Sequence, residues 1–156
     1  MKRIIIAMCL WVLIPNVFAG VNTRCDVVTC AAGSKVISYA KKNEPYYMCP
    51  TRELAEYTNF VIGLVFLSVQ ISGKMPNISP ITGEPEYVGE TKTRLDRMRD
   101  LAGVSNFDQA VASCKLGKNA LHMFVTNNPK DGNLIWVSDE KSKKLFWMPK
   151  GYLNLR

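Results

Sequence analysis

Four of the five cysteines constrain the fold of this chain more than any other feature, and they are Cys25, Cys30, Cys49 and Cys114; the fifth, Cys9, lies in the apolar N-terminal run that predicts a cleaved signal peptide. An even number of cysteines in an exported chain indicates disulfide bonds, and four cysteines allow three pairings. A zinc ribbon would need close pairs of the Cys-x2-Cys kind, whereas four residues separate Cys25 from Cys30. The spacing therefore predicts a small domain held by two disulfides, with no metal site.

The N-terminus predicts export. A basic start at residues 2–3 precedes the uncharged apolar residues 4–14, and residues 17–19 end in the small side chain that signal peptidase reads. The apolar run is shorter than the roughly 20 residues that span a bilayer as a helix, and a retained membrane anchor is the alternative. We expect residues 1–19 to be a cleaved signal peptide and residues 20–156 to form one disulfide-stapled domain in the periplasm.

The pairing of the cysteines follows from the local pattern. Apolar side chains in residues 25–42 recur mostly at the spacing of an α-helix, which is interrupted at Gly33. Five positions on a helix turn through about 500°, so Cys25 and Cys30 would point to different sides of the axis. We expect one of them to bond Cys49 and the other to bond Cys114.

The remaining periodicity predicts an α+β fold. A helical N-terminal two-thirds surrounds a central apolar helix, and an antiparallel β-meander follows at the C-terminus. Residues 51–71 predict the central helix, and its all-apolar part of about a dozen residues favours a buried core helix over a membrane span or inserting hairpin. Residues 74–89 are a Pro- and Gly-rich loop, further helices are expected at 91–101 and 107–114, and strands at 121–126, 134–137 and 144–148.

No catalytic set is recognisable, and the chain is not expected to be an enzyme or to need a cofactor. His122, the single histidine, lies in an apolar strand, where a packed or edge histidine is common, although Asp131 or Ser138 could pair with it. A cell-wall hydrolase would need a carboxylate of raised pKa in a cleft, and Glu53, Glu56 and Glu84 to Glu86 are available. Helix-dipole and solubility effects explain Glu53 and Glu56 without catalysis.

A mixed aromatic and basic surface is the best candidate for binding, and its members are Trp136, Trp147, Tyr152, Lys144 and Lys150. Such a mixture suits single-stranded nucleic acid or another polyanion, while export argues against nucleic acid. Alternate residues of a strand face opposite sides, so Phe146 and Trp147 cannot both be buried, and core packing remains the competing explanation for part of this set.

The net charge of +7 falls to +5 without the two cations at residues 2–3. A mildly basic exported protein can make peripheral contact with anionic membrane or cell wall. The alternative is a solvated surface that keeps the protein soluble.

One motif resembles a known family. It reads Cys25-Asp26-Val27-Val28-Thr29-Cys30-Ala31-Ala32-Gly33, and Cys49, Leu54-Ala55-Glu56, Phe60-Val61-Ile62 and Cys114 follow. This pattern is similar to the TrbM/KikA-type small exported proteins of conjugative plasmid transfer regions, over residues 20–115. The resemblance implies a periplasmic accessory of mating-pair formation, in a type IV secretion apparatus, with envelope proteins as partners and only the cysteines as shared functional residues. A lytic cell-wall hydrolase and a secreted antagonist or immunity-type binder are the alternatives.

Overall fold

The computed structural model describes residues 23–41 and 43–156. The expected signal peptide and its cleavage site lie outside the described residues. The elements are β1 (Lys35–Ser38), β2 (Tyr47–Met48), α1 (Arg52–Ser72), α2 (Gly89–Leu101), α3 (Phe107–Ser113), β3 (Lys115–Leu116), β4 (His122–Asn127), β5 (Leu134–Asp139), β6 (Leu145–Pro149), a 3-10 turn (Lys150–Tyr152) and β7 (Leu153–Leu155).

Five strands form one antiparallel sheet in the order β6-β5-β4-β1-β7. β2 and β3 form a separate two-stranded ribbon. The ribbon is joined to the β6 edge by two backbone hydrogen bonds, in which the N–H of Cys49 and the N–H of Trp147 each donate to the other residue's carbonyl, at 3.0 and 2.8 Å. The ribbon thereby covers part of an edge that would otherwise present unpaired backbone groups.

The expected helical N-terminal two-thirds is wrong. Residues 25–42, expected to be helical, begin with tight turns in which the N–H groups of Val27 and Val28 both donate to the carbonyl of Arg24, each at 2.9 Å. Gly33 adopts a φ of +86°, which ends any helical course, and β1 follows. β1 then lies between β4 and β7, so the N-terminal segment supplies an inner strand of the sheet.

The expected disulfide pairing is also wrong. Cys25 bonds Cys30, with their Cα atoms 5.3 Å apart, and Cys49 bonds Cys114, with their Cα atoms 4.3 Å apart. The physical reason is the turn after Arg24, because it folds the chain back within five residues where a helix would have separated the two side chains. The presence of two disulfides is confirmed, and two disulfides suit an oxidising compartment.

The sheet separates two hydrophobic clusters. Adjacent β5 residues Leu134 and Ile135 are both buried and point to opposite faces, so each cluster occupies its own side. On one side, the sheet packs against the Cys25–Cys30 loop and Tyr46. On the other side, the first half of α1 packs with α2, α3 and Leu134.

The helix expected at residues 51–71 is confirmed. Thr51 caps it by accepting a hydrogen bond from the Leu54 N–H at 3.3 Å, and Gly73 ends it in the left-handed conformation. The helix is buried over its first half only, at Leu54, Ala55, Tyr57, Thr58 and Val61. Residues 62–71, called here the apolar half of α1, contain no buried residue.

Candidate functional site

Two of the predicted aromatic residues lie side by side. Trp136 and Trp147 are directly opposite each other on β5 and β6, with ring centroids 6.0 Å apart and planes inclined by 12°. The guanidinium carbon of Arg52 lies 5.9 Å from the centre of the Trp147 ring, so a cation, Trp147 and Trp136 are neighbours at this edge of the sheet. Phe146 is buried on the opposite face, as the alternation of strand residues predicts.

The other three predicted binding residues do not join this pair. Lys150 is buried, and its ammonium donates to the carbonyls of Pro129 and Gly132 at 2.7 and 3.0 Å. Tyr152 stacks on Tyr46, with ring centroids 4.4 Å apart, beside the other hydrophobic cluster. Lys144 is exposed in the hairpin that joins β5 to β6, and Lys141 and Lys143 belong to the same hairpin.

Sequence reasoning missed one aromatic residue. Phe124 on β4 is partly exposed, and the ammonium groups of Lys35 and Lys143 each lie 5.9 Å from its ring centre. Phe124 faces away from its buried neighbours Met123 and Val125, which places it on the side of the sheet that carries Trp136 and Trp147. Its position between Met123 and Val125 in a strand was the signal that could have identified it, because adjacent strand residues face opposite sides.

The apolar half of α1 forms a second surface. No charged residue occurs between Glu56 and Lys74, and Leu67 and Ile71, one turn apart, are 50% and 78% exposed. A groove of about 590 Å³ runs beside this helix, with polar side chains such as Asn59 and Arg94 among its lining. Its apolar walls come from Phe60, Ile62, Leu64, Phe66 and Leu67 of α1, together with Leu134 and Pro149 at the sheet.

By length and composition, α1 is the one helix in the described part of the chain that could cross a membrane. Its contacts oppose that role. The buried Tyr57 hydroxyl donates to Glu84 at 2.6 Å, and Arg99 donates to the other Glu84 oxygen at 2.6 Å and to Asp96 at 2.7 Å. Burial, followed by the Glu84 hydrogen bond, raises the pKa of Tyr57. A spanning α1 would have to leave this network and strand a buried carboxylate, which is costly.

The remaining candidate catalytic groups Glu84, Glu56 and His122 each contact other polar side chains. Glu84 holds the Tyr57 and Arg99 side chains, and Glu56 accepts from Arg52 at 2.8 Å. His122 lies beside Arg156, with its Nδ1 atom 3.4 Å from Glu140. Within residues 23–41 and 43–156, no three His, Cys, Asp or Glu side chains converge in a way that could hold a metal ion.

Asp131 belongs to the same set. It accepts from Arg52 at 3.1 Å, and that bond lowers the pKa of its carboxyl group. Exposed Glu53 lies in the first turn of α1, where the positive end of the helix dipole favours a carboxylate. Salt bridges and the helix dipole therefore give each of these acids a structural role.

No family model, curated protein sequence or solved structure matches this chain.

Proposed function

We propose that this protein is a periplasmic accessory of a conjugative type IV secretion apparatus, and that it acts by binding an envelope protein. The observation that carries the proposal is the exposed apolar half of α1. A domain that leaves Leu67, Val69 and Ile71 exposed at the end of a long uncharged helix presents a surface of the kind that marks protein–protein or membrane contact.

The apolar surface continues beyond the helix. Ile71 is followed by exposed Met75, and Val88 before α2 is also exposed. Because Ser68 and Tyr87 share a hydrogen bond of 3.0 Å, the start of α2 lies beside the last turns of α1. These residues therefore cluster at the tip of the α1–α2 hairpin rather than being scattered over the surface.

A partner helix fits this surface better than a bilayer does. The groove has a polar rim, and a rim of that kind is typical of protein interfaces with an apolar centre. α2 lies alongside α1, with the Arg94 guanidinium 4.4 Å from the centre of the Phe60 ring. Deep insertion of α1 would draw the charges of α2 into hydrocarbon, at a cost of a few kcal/mol each.

Separate observations support the proposed oxidising compartment and the proposed secretion apparatus. The two disulfides and the signal-like N-terminus favour export to an oxidising compartment. The resemblance of residues 25–33 to the TrbM/KikA type indicates which envelope machine is involved. Binding rather than catalysis is favoured because Glu84, a candidate acid, is held between Tyr57 and Arg99.

The test compares two exposed leucines. Leu67→Asp places a charge in the apolar half of α1, and Leu116→Asp places the same charge on the ribbon, where Leu116 is 55% exposed. We expect Leu67→Asp to reduce plasmid transfer and envelope-protein capture at least tenfold, since one charge buried in an interface costs more than the 1.4 kcal/mol that a factor of ten represents. Leu116→Asp should leave both unchanged.

Equal transfer by both variants, with both folded, would overturn the proposal. Binding of the purified protein to liposomes without capture of any protein would assign the surface to lipid instead.

A further inference from the structure

We propose that the half-buried aromatic side chains on the α1 side of the sheet bind an anionic polysaccharide chain. The binding residues form a sheet platform, defined here as Phe124, Trp136 and Trp147 with the cations Lys35, Lys143 and Arg52. This inference goes beyond the docking role proposed for α1 and does not depend on it.

The rings of the platform form a track across three adjacent strands. Trp147 on β6 and Trp136 on β5 are 6.0 Å apart and nearly parallel. Phe124 on β4 pairs with Ser138, two residues along β5 from Trp136, so Phe124 and Trp136 occupy diagonal positions on one face, with Cα atoms about 7–8 Å apart. The track therefore offers adjacent aromatic faces, and the C–H groups of sugar rings pack on such electron-rich faces.

The cations of the platform flank this track at both ends. Lys35 and Lys143 approach Phe124, and Arg52 approaches Trp147. Because Arg52 is paired with Glu56 and Asp131, the positive charge offered to a ligand comes from the lysines at the Phe124 end. The β5–β6 hairpin adds exposed Lys141 and Lys144 beside Lys143. Repeated carboxylate, sulfate or phosphate groups along a polymer would match this spacing of positive charge.

The acids close to the platform are already neutralised or held. Asp131 pairs with Arg52, and Glu140 lies 3.7 Å from Arg156. Asp139 accepts the backbone N–H groups of Lys141 and Ser142 at 3.1 and 2.5 Å, which lowers the pKa of its carboxyl group. The potential over the face is therefore set by the lysines and favours an anionic ligand.

The choice of polysaccharide over nucleic acid rests on the disulfides. Cys25–Cys30 and Cys49–Cys114 suit an oxidising compartment outside the cytoplasm, where anionic glycans are abundant and the DNA moved by a conjugative apparatus is the competing polymer. Stacking alone does not distinguish the two, because bases also stack on aromatic rings. Nucleic acid is consequently an outcome of the test.

Binding can be read directly from the platform. The chain contains three tryptophans, and Trp11 lies in the segment expected to be cleaved, so Trp136 and Trp147 supply the tryptophan fluorescence of the processed protein. We expect polygalacturonate to change this fluorescence at low salt, a neutral dextran to leave it unchanged, and added salt to weaken binding.

Two variants test the surface against one control. Trp136→Ala should weaken polygalacturonate binding about tenfold through loss of a stacking ring, and Lys35→Gln/Lys143→Gln should weaken it by a similar factor and reduce its salt dependence. Lys74→Gln/Lys92→Gln removes the same charge elsewhere, at exposed positions after α1 and on α2, and should bind as the unmodified protein does.

Unchanged binding in Trp136→Ala, with an unchanged melting curve, would overturn the proposal. Tighter binding of a single-stranded DNA oligonucleotide than of polygalacturonate would also overturn it. Equal loss in the control and the lysine variant would show attraction by net charge alone and reject the platform as the site.

Discussion

Gly117 lies against the ring of Tyr46. Its N–H donates to the Tyr46 carbonyl at 2.7 Å, and a methyl group on Gly117 would overlap the buried tyrosine ring. Gly117→Ala should therefore lower the free energy of unfolding by about 1–3 kcal/mol, measured by denaturant titration. The control is Gly63→Ala. A methyl group at position 63 meets nothing within 4 Å, and the substitution replaces a glycine inside a helix. An equally stable Gly117→Ala protein would show that Tyr46 can move aside.

The buried Tyr57 should make the folded protein less stable at alkaline pH. Burial, and then the hydrogen bond to Glu84, raise the pKa of Tyr57 above its ordinary value of 10.0. The folded state therefore holds this proton more tightly than the unfolded state, and stability is lost as the pH rises above about 10. Denaturant titrations at pH 8 and above pH 10 should show a smaller loss for Tyr57→Phe than for the unmodified protein. An identical loss in both would assign the alkaline effect to other groups.

The two disulfides should contribute unequally. Cys49–Cys114 closes a loop of 65 residues, and Cys25–Cys30 closes one of 5. Loop-closure entropy assigns about 4 kcal/mol to the first and about 2 kcal/mol to the second. The double variant Cys49→Ser/Cys114→Ser should therefore have a melting temperature well below that of Cys25→Ser/Cys30→Ser. Each double variant removes both cysteines of one disulfide, so no unpaired thiol remains among these four residues. The reverse order would mean that the short bridge carries structure that loop entropy does not describe.

Elements with local signals could be predicted from the sequence, and elements defined by distant partners could not. Thr51 and Gly73 mark the ends of α1 within the chain itself, as a cap and a left-handed stop. β1 is four residues long and exists because β4 and β7 flank it. The valines and alanines before β1 have a helix-like spacing in the sequence. Val27, one of these residues, is exposed, so the spacing does not reflect a buried helical face.

Only part of each candidate binding surface could be predicted from the sequence. Alternation in β6 separated Phe146 from Trp147, but grouping Trp147 with Trp136 required the register between β5 and β6. Lys150 has the composition of a binding residue, and only the fold shows that it is buried on two carbonyls. The uncovered half of α1 was expected to be core, because hydrophobicity alone does not show how much packing surface the rest of the chain supplies.

At the scale of the whole molecule, the exposed end of α1 lies far from the sheet platform, although the groove walls Leu134 and Pro149 are two residues from Trp136 and Trp147. Arg52, the first residue of α1, approaches Trp147, whereas Ile71 lies about 29 Å further along the helix axis at the usual rise per residue. A partner seated on Leu67 and Ile71 at the exposed end of α1 and a polymer on the sheet platform should therefore bind independently. Leu67→Asp should leave the polygalacturonate affinity unchanged in fluorescence titrations, and a large loss would indicate that the two surfaces are coupled.

Site-specific photo-crosslinking in living cells tests the proposed docking most directly. A photoreactive residue placed at position 67 lies in the apolar half of α1, and one placed at position 116 provides an exposed control of the same original residue type. The docking proposal predicts a discrete adduct with an envelope protein from position 67 and none from position 116. Adducts with lipid only, or no adduct from position 67 while the plasmid is transferred normally, would contradict it.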